Sequence, residues 1–167
     1  GAFLEDGFVV VVDPGTSVAA AIEILHWDTA GDAVTVRQPR NVIAAADNAR
    51  VTVIETHAGA GASAQFFNGA TMVTVAPGAA VQHFRIQDQG AGSVHVNTVR
   101  ARVEKDAQYQ SFVLSTGAGI ARDEVQVDLA APGADTQVDG VYLATDKQHL
   151  DNTTVMRHAQ PNTTSRE

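Results

Sequence analysis

The chain has 167 residues, a formal net charge of -8 and no cysteine. The acidic balance argues against nucleic acid as a partner, and the lack of cysteine excludes disulfides and thiolate metal sites. No apolar run reaches the roughly 18 to 20 residues of a membrane-spanning helix, so we expect a cytoplasmic protein without a membrane partner.

A turn followed at once by a run of β-forming residues occurs five times along the chain. The turns are at Asp13-Pro14-Gly15, Asp47-Asn48, Pro77-Gly78, Asp106 and Pro132-Gly133. Equivalent positions in the runs that follow are Val18, Val51, Val81, Tyr109 and Thr136, separated by 33, 30, 28 and 27 residues. A drifting period near 30 residues predicts stacked coils of short strands.

Two stretches support strands in detail. Residues 42–49 are rich in alanine and have a competing helical interpretation, but Asp47-Asn48 interrupts them and a run of β-branched residues follows. Further on, Val125, Val127 and Leu129 alternate with two polar residues, which predicts one packed face and one solvated face. The chain is therefore expected to be mostly β.

Composition completes the fold prediction. Aromatic residues make up 5% of the chain, whereas alanine, valine and glycine are abundant, as suits a narrow interior. We predict a single all-β domain over residues 1–167, a right-handed parallel β-helix of about five coils. An antiparallel jelly roll or cupin-like barrel is the alternative. The open ends of a β-helix need a cover, which predicts neighbouring elements or a homodimer.

Several of the six histidines lie in strand-like runs. His95 lies between two valines, and His83 and Arg85 alternate with Phe84 and Ile86, so alternation places His95, His83 and Arg85 on the solvent face. Two more histidines lack an acidic partner at a diagnostic spacing and receive no role: His26 and His57.

The densest group of polar residues lies near the C-terminus. Six of its residues are candidates for a polar site or interface: His149, Asp151, Asn152, His158, Arg166 and Glu167. His149 and Asp151 share a strand face, and with His158 they offer the donors of a two-histidine, one-carboxylate iron site. The third ligand of such sites comes from a distant strand, whereas His158 follows closely. Structural roles are therefore favoured, and we predict no metal ligand, cofactor site or catalytic residue.

Two enzyme classes stay open as alternatives. Residues 77–83 are similar to the second metal motif of cupins, although no His-x-His with a downstream Glu precedes them. A β-helical carbohydrate-active enzyme needs paired carboxylates across a groove. Asp128, Asp135 and Asp139 are close in sequence, but turn positions and a solvated face explain them better.

The C-terminal segment carries a family resemblance. Residues 148–167 read QHLDNTTVMRHAQPNTTSRE, which is similar to the SufB/SufD block with His-x-Asp-Asn-x-Thr, His-x-x-Pro and Ser-Arg-Glu. Segments 39–43, 49–55 and 84–87 also resemble the family, in the family's order. Asn152 and the Ser-Arg-Glu ending look more like SufD than SufB.

This resemblance implies a right-handed parallel β-helix, flanked in the family by helical regions that we expect to be absent here. It implies a non-catalytic, SufD-like scaffold subunit of the SufBCD iron-sulfur cluster assembly complex. That subunit would pair with SufB and, through missing regions, with the ATPase SufC. ATP and the iron-sulfur cluster then belong to the wider complex. The resemblance transfers no cluster ligand, because no residue here matches the family's Cys-Ser-His-Gly segment.

Overall fold

The structure is a computed structural model that describes residues 6–29, 34–59 and 64–167. The predicted domain, residues 1–167, thus includes three segments outside this description: 1–5, 30–33 and 60–63. The strands of the described part, in chain order, are β1 (Val9–Val12), β2 (Ile22–Asp28), β3 (Thr35–Arg37), β4 (Arg40–Ala45), β5 (Arg50–Gly59), β6 (Gln65–Val75), β7 (Ala80–Asp88), β8 (Val94–Val103), β9 (Gln108–Ser115), β10 (Ile120–Leu129), β11 (Asp135–Tyr142), β12 (His149–His158) and β13 (Thr164–Arg166).

The strands form two parallel sheets. One sheet has the order β1-β4-β6-β8-β10-β12, with β3 also pairing β6, and the other has the order β13-β11-β9-β7-β5-β2. From β4 onward, successive strands alternate between the sheets and pair in parallel with the strand one coil away, so the chain winds as a solenoid. The predicted all-β parallel coil is confirmed, and the antiparallel jelly roll or cupin-like barrel is wrong. The right-handed sense stays a prediction, consistent with the sterics of parallel crossovers.

The strand register confirms the sequence period. Val51 pairs with Val81, Val81 with Tyr109, and Tyr109 with Thr136. A bridge between Ser17 and Arg50 places Val18 beside Val51. Residues 42–49 form the end of β4 and a turn, as the strand interpretation predicted. None of the ranges given above contains a helix long and apolar enough to cross a membrane.

One bend of each coil contains a residue with positive φ. These residues, which we call the turn spine, are Gly15, Asn48, Gly78, Asp106, Gly133 and Asn162, with φ between 55° and 78°. Glycine, asparagine and aspartate are the residues that most readily adopt this left-handed conformation. The N–H of Gly15 donates to the carbonyl of Asp47 at 2.8 Å, and that of Gly78 to the carbonyl of Lys105 at 2.9 Å. The turn spine therefore continues the hydrogen bonding between coils around the bend.

The interior between the sheets has two halves. The apolar half, next to the turn spine, is filled by Val12, Ile43, Ala45, Val51, Val53, Val73, Val75, Val81, Ala101, Val103, Val125, Val127 and Leu129. Burying a side chain such as valine or leucine contributes about 1.5–3 kcal/mol. The polar half, further from the turn spine, contains Glu55, His57, His83, Arg85, Gln87, Gln89, His95, Asn97, Ser111, Ser115 and Asp123, all buried. The packed face predicted for Val125, Val127 and Leu129 is confirmed.

The polar half overturns one prediction from alternation. His83, Arg85 and His95 are buried in the interior rather than solvent-facing. Phe84 and Val94 are the neighbours that lie toward the outside, half-buried. Alternation itself holds, but in this half the inward positions carry hydrogen-bonded polar groups, so an apolar neighbour no longer marks the inside.

Candidate functional site

Glu55 lies at the centre of the polar half. On β5, Val51, Val53, Glu55 and His57 all point inward, and Glu55 is 0% exposed. One carboxylate oxygen, Oε1, lies 2.7 Å from Nε2 of His83 and accepts a hydrogen bond from the hydroxyl of Thr71 at 3.4 Å. Burying a carboxylate is costly unless such partners are present. His83 and Thr71 therefore fix one side of the Glu55 carboxylate.

The other oxygen of Glu55 faces two imidazoles. Its Oε2 lies 3.8 Å from Nε2 of His26 and 3.6 Å from Nε2 of His57. These three atoms have no hydrogen-bond partner among the described residues. One possible ligand atom from each residue lies within 4.8 Å of the others. We call His26, Glu55 and His57 the His-Glu-His cluster.

Register and ring packing bring the two imidazoles together. His26 on β2 pairs with His57 on β5, and their rings stack in parallel at a centroid distance of 4.4 Å. Phe67 meets the ring of His57 edge-on at 4.7 Å and stacks on the ring of His95 at 4.8 Å. Aromatic contacts of this kind restrict ring motion. His57 is thus held from several sides, whereas the side chain of His26 is 18% exposed.

The protonation states favour electron-pair donors. Burial and the neighbouring His57 lower the pKa of His26 to about 4, so this imidazole is neutral near pH 7. Burial alone would raise the pKa of Glu55, but the imidazoles of His57 and His83 outweigh it and hold that pKa well below its usual range. Near neutral pH, the cluster therefore presents an anionic carboxylate beside a neutral imidazole.

A buried ion pair lies beside the cluster. Arg85 Nη1 donates to Asp123 Oδ1 at 3.1 Å, and its Nη2 donates to the hydroxyl of Ser111 at 3.3 Å. Asn97 Nδ2 donates to the same oxygen of Asp123 at 3.4 Å. These bonds compensate the charge of Arg85, which is 1% exposed.

A further chain of hydrogen bonds leads toward the surface. His95 Nδ1 lies 2.8 Å from Gln89 Oε1, and Gln89 Nε2 donates to Asp28 Oδ2 at 2.7 Å. Asp28 in turn lies 3.5 Å from Nη1 of Arg37.

Arg37 lines a surface cleft of about 360 Å³, which is also lined by Asp6, His26, Val36, Gln38, Pro39 and Phe67. The His-Glu-His cluster is thus accessible from the surface through the side chain of His26.

The C-terminal candidates do not form a three-ligand site. His149 and Asp151 share the outer face of β12, as predicted, and Asp151 lies 3.7 Å from Arg122. His158 has the opposite parity and pairs with the inward-facing Leu129. Its Nδ1 lies 2.7 Å from the hydroxyl of Thr163, and its Nε2 lies 3.1 Å from that of Ser165. The predicted structural role of His158 agrees with these contacts.

The other candidates lie at two further places. Asn152 points inward and, together with Glu167, lines an open cavity of about 450 Å³ at the C-terminal end of the solenoid. Arg166 donates to both carboxylate oxygens of Asp135, at 3.1 and 3.0 Å. The structure therefore divides the six candidates between the outer face of β12, the open end and local polar contacts.

The acidic residues considered for carbohydrate chemistry have structural partners. Asp128 accepts hydrogen bonds from Arg102 at 3.0 Å and from Arg157 at 2.9 Å, and a hydrogen bond from Arg157 lowers the pKa of Asp128. Asp139 accepts a hydrogen bond from Gln137 at 2.7 Å. These contacts give the carboxylates of Asp128 and Asp139 structural partners.

Sequence reasoning missed the His-Glu-His cluster, although a signal was present. Glu55 and His57 are two residues apart on β5, whereas His26 comes from β2, one coil away. The period that relates the coils also relates Ile24-Leu25-His26 to Glu55-Thr56-His57. Laying one coil over the next would have placed His26 beside His57.

These features define the chain as a parallel β-solenoid protein with a partly polar, histidine-containing interior. The family described as "SUF system FeS cluster assembly, SufBD core domain" matches residues 27–167. The chain therefore belongs to the SufBD core domain family of iron-sulfur cluster assembly, and the resemblance drawn from its sequence blocks is confirmed.

Individual relatives agree with this membership. An iron-sulfur cluster assembly SufBD family protein of Mycobacterium leprae is 32% identical over 76 residues, which is 46% of this chain and 19% of that protein. One of Mycobacterium tuberculosis matches to the same extent. Protein ABCI7, chloroplastic, of Arabidopsis thaliana is 22% identical over 152 residues, 87% of this chain and 32% of its own length. The matched region is thus a minor part of each relative.

Proposed function

We propose that this chain is the β-solenoid core of a SufD-like scaffold subunit in a cytoplasmic SufBCD-type assembly complex. The observation that carries the proposal is the SufBD core match over residues 27–167, which covers nearly all of the stacked coils. The SufD-like features of residues 148–167 favour SufD over SufB as the counterpart. The proposed role is to hold partner subunits while clusters are built and transferred.

The C-terminal end of the solenoid supports a role in subunit pairing. Within the described residues, β12 pairs only with β10 and β13 only with β11, so each has a free hydrogen-bonding edge. Three consecutive large apolar side chains beside this end are exposed: Val141, Tyr142 and Leu143. Free strand edges and exposed apolar side chains both favour association. We assign this end to contact with a SufB-like subunit.

We infer that the chain itself catalyses no reaction. ATP would be bound and hydrolysed by a SufC-like subunit that docks to regions outside this sequence, and the iron-sulfur cluster would belong to the wider complex. The arginine partners of Asp128 and Asp135 support this inference, because they leave these carboxylates engaged in structural contacts.

Co-expression of the full-length protein with the SufB-like and SufC-like proteins of the same organism tests the proposal. We expect a stable complex of all three proteins after affinity purification. Replacing apolar side chains at this end with positive charges, for example with Tyr142→Lys and Leu143→Lys, should release the SufB-like protein. Met72→Lys is the matched control, since Met72 is exposed on β6, in the middle of the sheet and away from this end. A full-length protein that purifies alone or only as a homodimer would refute the assignment.

Genetic complementation distinguishes a SufD-like role from a SufB-like role. The full-length gene should restore growth of a strain that lacks SufD but not of a strain that lacks SufB. Rescue of only the SufB-deficient strain would reverse this part of the proposal and keep the family assignment.

A further inference from the structure

We propose that the His-Glu-His cluster binds one divalent first-row transition-metal ion, with His26 Nε2, His57 Nε2 and Glu55 Oε2 as protein ligands. This site goes beyond the scaffold role, and its test does not depend on any partner subunit. It runs against the expectation from sequence that the chain holds no metal.

Polar atoms converge in the His-Glu-His cluster without hydrogen-bond partners in the part of the chain that the structure describes. Buried polar atoms in native proteins almost always have a hydrogen-bond partner. Here three such atoms, one from each residue of the cluster, face one another without a partner among residues 6–29, 34–59 and 64–167. The other oxygen of Glu55 is already engaged by His83 and Thr71. A group bound between the three free atoms would satisfy all of them at once.

The distances between the three atoms also suit a bound ion. Metal–ligand bonds of about 2.0–2.2 Å place neighbouring ligand atoms roughly 3.0–3.5 Å apart. Glu55 Oε2 lies 3.6 Å from His57 Nε2 and 3.8 Å from His26 Nε2. Coordination therefore requires a contraction of only a few tenths of an ångström at each of these two distances.

Coordination also requires one ring to move. Two imidazoles stacked in parallel, as His26 and His57 are, cannot both direct their lone pairs at one ion. His57 is packed against Phe67 and His95, so His26 must rotate. The cleft beside His26 provides room for this rotation and a route for the ion from the surface.

The groups around the cluster resemble an outer shell of a metal site. His83 Nε2 contacts Glu55 at 2.7 Å, and His83 Nδ1 lies 3.2 Å from the hydroxyl of Tyr109. Asn41 donates to the hydroxyl of Thr71 at 3.3 Å, and Thr71 donates to Glu55. Outer-shell hydrogen bonds orient metal ligands and raise affinity. The carboxylate of Glu55 is therefore preorganised with Oε2 directed at the two imidazoles.

The donor set indicates the class of metal. Two imidazoles and one carboxylate suit Fe²⁺, Co²⁺ and Zn²⁺, whereas Mg²⁺ and Ca²⁺ prefer oxygen ligands alone. For such a site, affinity should increase from Fe²⁺ to Co²⁺. We therefore expect binding of Co²⁺ and Zn²⁺, weaker anaerobic binding of Fe²⁺, and no binding of Mg²⁺.

Calorimetry and cobalt absorbance of the metal-stripped chain test the proposal. One Co²⁺ or Zn²⁺ should bind per chain. His26→Asn should weaken binding at least ~100-fold, because loss of a ligand costs more than the 10- to 100-fold typical of an outer-shell partner. His149→Asn is the matched control on the outer face and should leave affinity unchanged. Absence of stoichiometric binding, or binding that survives His26→Asn, would overturn the proposal.

A second measurement needs no substitution and so does not depend on the folding of a variant. In the NMR spectrum of the chain with isotope-labelled histidine, Zn²⁺ should shift the Nε2 resonances of His26 and His57 and leave His149 unchanged. Shifts confined to His149 and His158 would place the ion on the C-terminal residues and refute the site. Histidine resonances that stay unchanged when excess Zn²⁺ is added would overturn the proposal.

Discussion

The apolar and polar halves of the interior are built on the same backbone but filled by opposite chemistry. Within β5 alone, Val51 and Val53 belong to the apolar half, and Glu55 and His57 belong to the polar half. The parallel pairing of β5 with β7 continues through both. The backbone hydrogen bonds between coils are thus the same in both halves, although the side chains that fill the two halves differ.

The two halves also differ in energetic cost. An apolar side chain gains stability simply by burial, whereas a buried polar group costs free energy unless each of its atoms is paired. Replacing a buried ion pair with apolar residues is often neutral or stabilising. Stability alone therefore does not explain a polar half that contains Arg85, Asp123 and Glu55.

The largest expected effect comes from breaking the ion pair in the polar half. Asp123→Ala should lower the free energy of unfolding by about 3–5 kcal/mol, because Arg85 would keep a buried charge without a partner. The double variant Arg85→Met/Asp123→Leu should recover most of this loss. Urea unfolding followed by circular dichroism measures both. Equal losses in the single and double variants would contradict the distinction between the halves.

A truncation in the apolar half should cost slightly less and should not be rescued. Leu129 is 0% exposed, and Leu129→Ala should lower the free energy of unfolding by about 3 kcal/mol through lost burial and a cavity. Val155→Ala, at an exposed position on β12, serves as the control and should change little. A similar loss in both variants would mean that burial does not govern this half.

Tyr109 lies at the boundary, with its ring in the apolar half and its hydroxyl 3.2 Å from His83. Burial raises the pKa of Tyr109 to about 12. Above pH ~10 the unfolded chain loses the phenol proton while the folded chain keeps it, so stability present below pH ~10 is lost as the pH rises, by roughly 1 kcal/mol at pH 11. Tyr109→Phe should lack this part of the loss when urea unfolding at pH 8 and pH 11 is compared. An identical decrease in both proteins would show that the phenol ionises normally.

The smallest effect is expected at the turn spine, which adjoins the apolar half. A Cβ at Gly15 would have no atom within 4 Å, so Gly15→Ala tests φ of 68° alone and should cost about 1 kcal/mol. Gly133→Ala should cost more, because its Cβ would collide with the side chain of Asp106. Thermal melting of both variants measures this difference, and a neutral Gly133→Ala would contradict it.

The sequence predicted the register of the coils better than the side chains that fill their interior. Turn chemistry and period are local signals, and they placed Val51, Val81 and Tyr109 in the register that the structure has. The orientation of His83 was wrong because it was judged from its apolar neighbours. The same register would have corrected it, since Val81 and His83 have the same parity and Val81 is buried.

The His-Glu-His cluster could not be predicted in the same way. Its contacts join β2 to β5, and its free atoms are defined only once Oε1 of Glu55 is assigned to His83 and Thr71. Such distances depend on side-chain rotamers and on the separation between the sheets. Register would have indicated that His26 and His57 are neighbours, but not that their nitrogen atoms lack partners.

The two bends of the coil differ in how far they tolerate a change of length. At the turn spine, the step between aligned residues is five from Val75 to Ala80 and from Val103 to Gln108, and six from Leu129 to Asp135. At the opposite bend, seven residues lead from Gln87 to Val94, five from Ser115 to Ile120 and seven from Tyr142 to His149. The opposite bend therefore tolerates a wider range of lengths while the strands on either side keep their register. A peptide tag grafted between β11 and β12 should be accommodated for the same reason, whereas one between β6 and β7 would interrupt the short turn at Gly78 and should be tolerated less well.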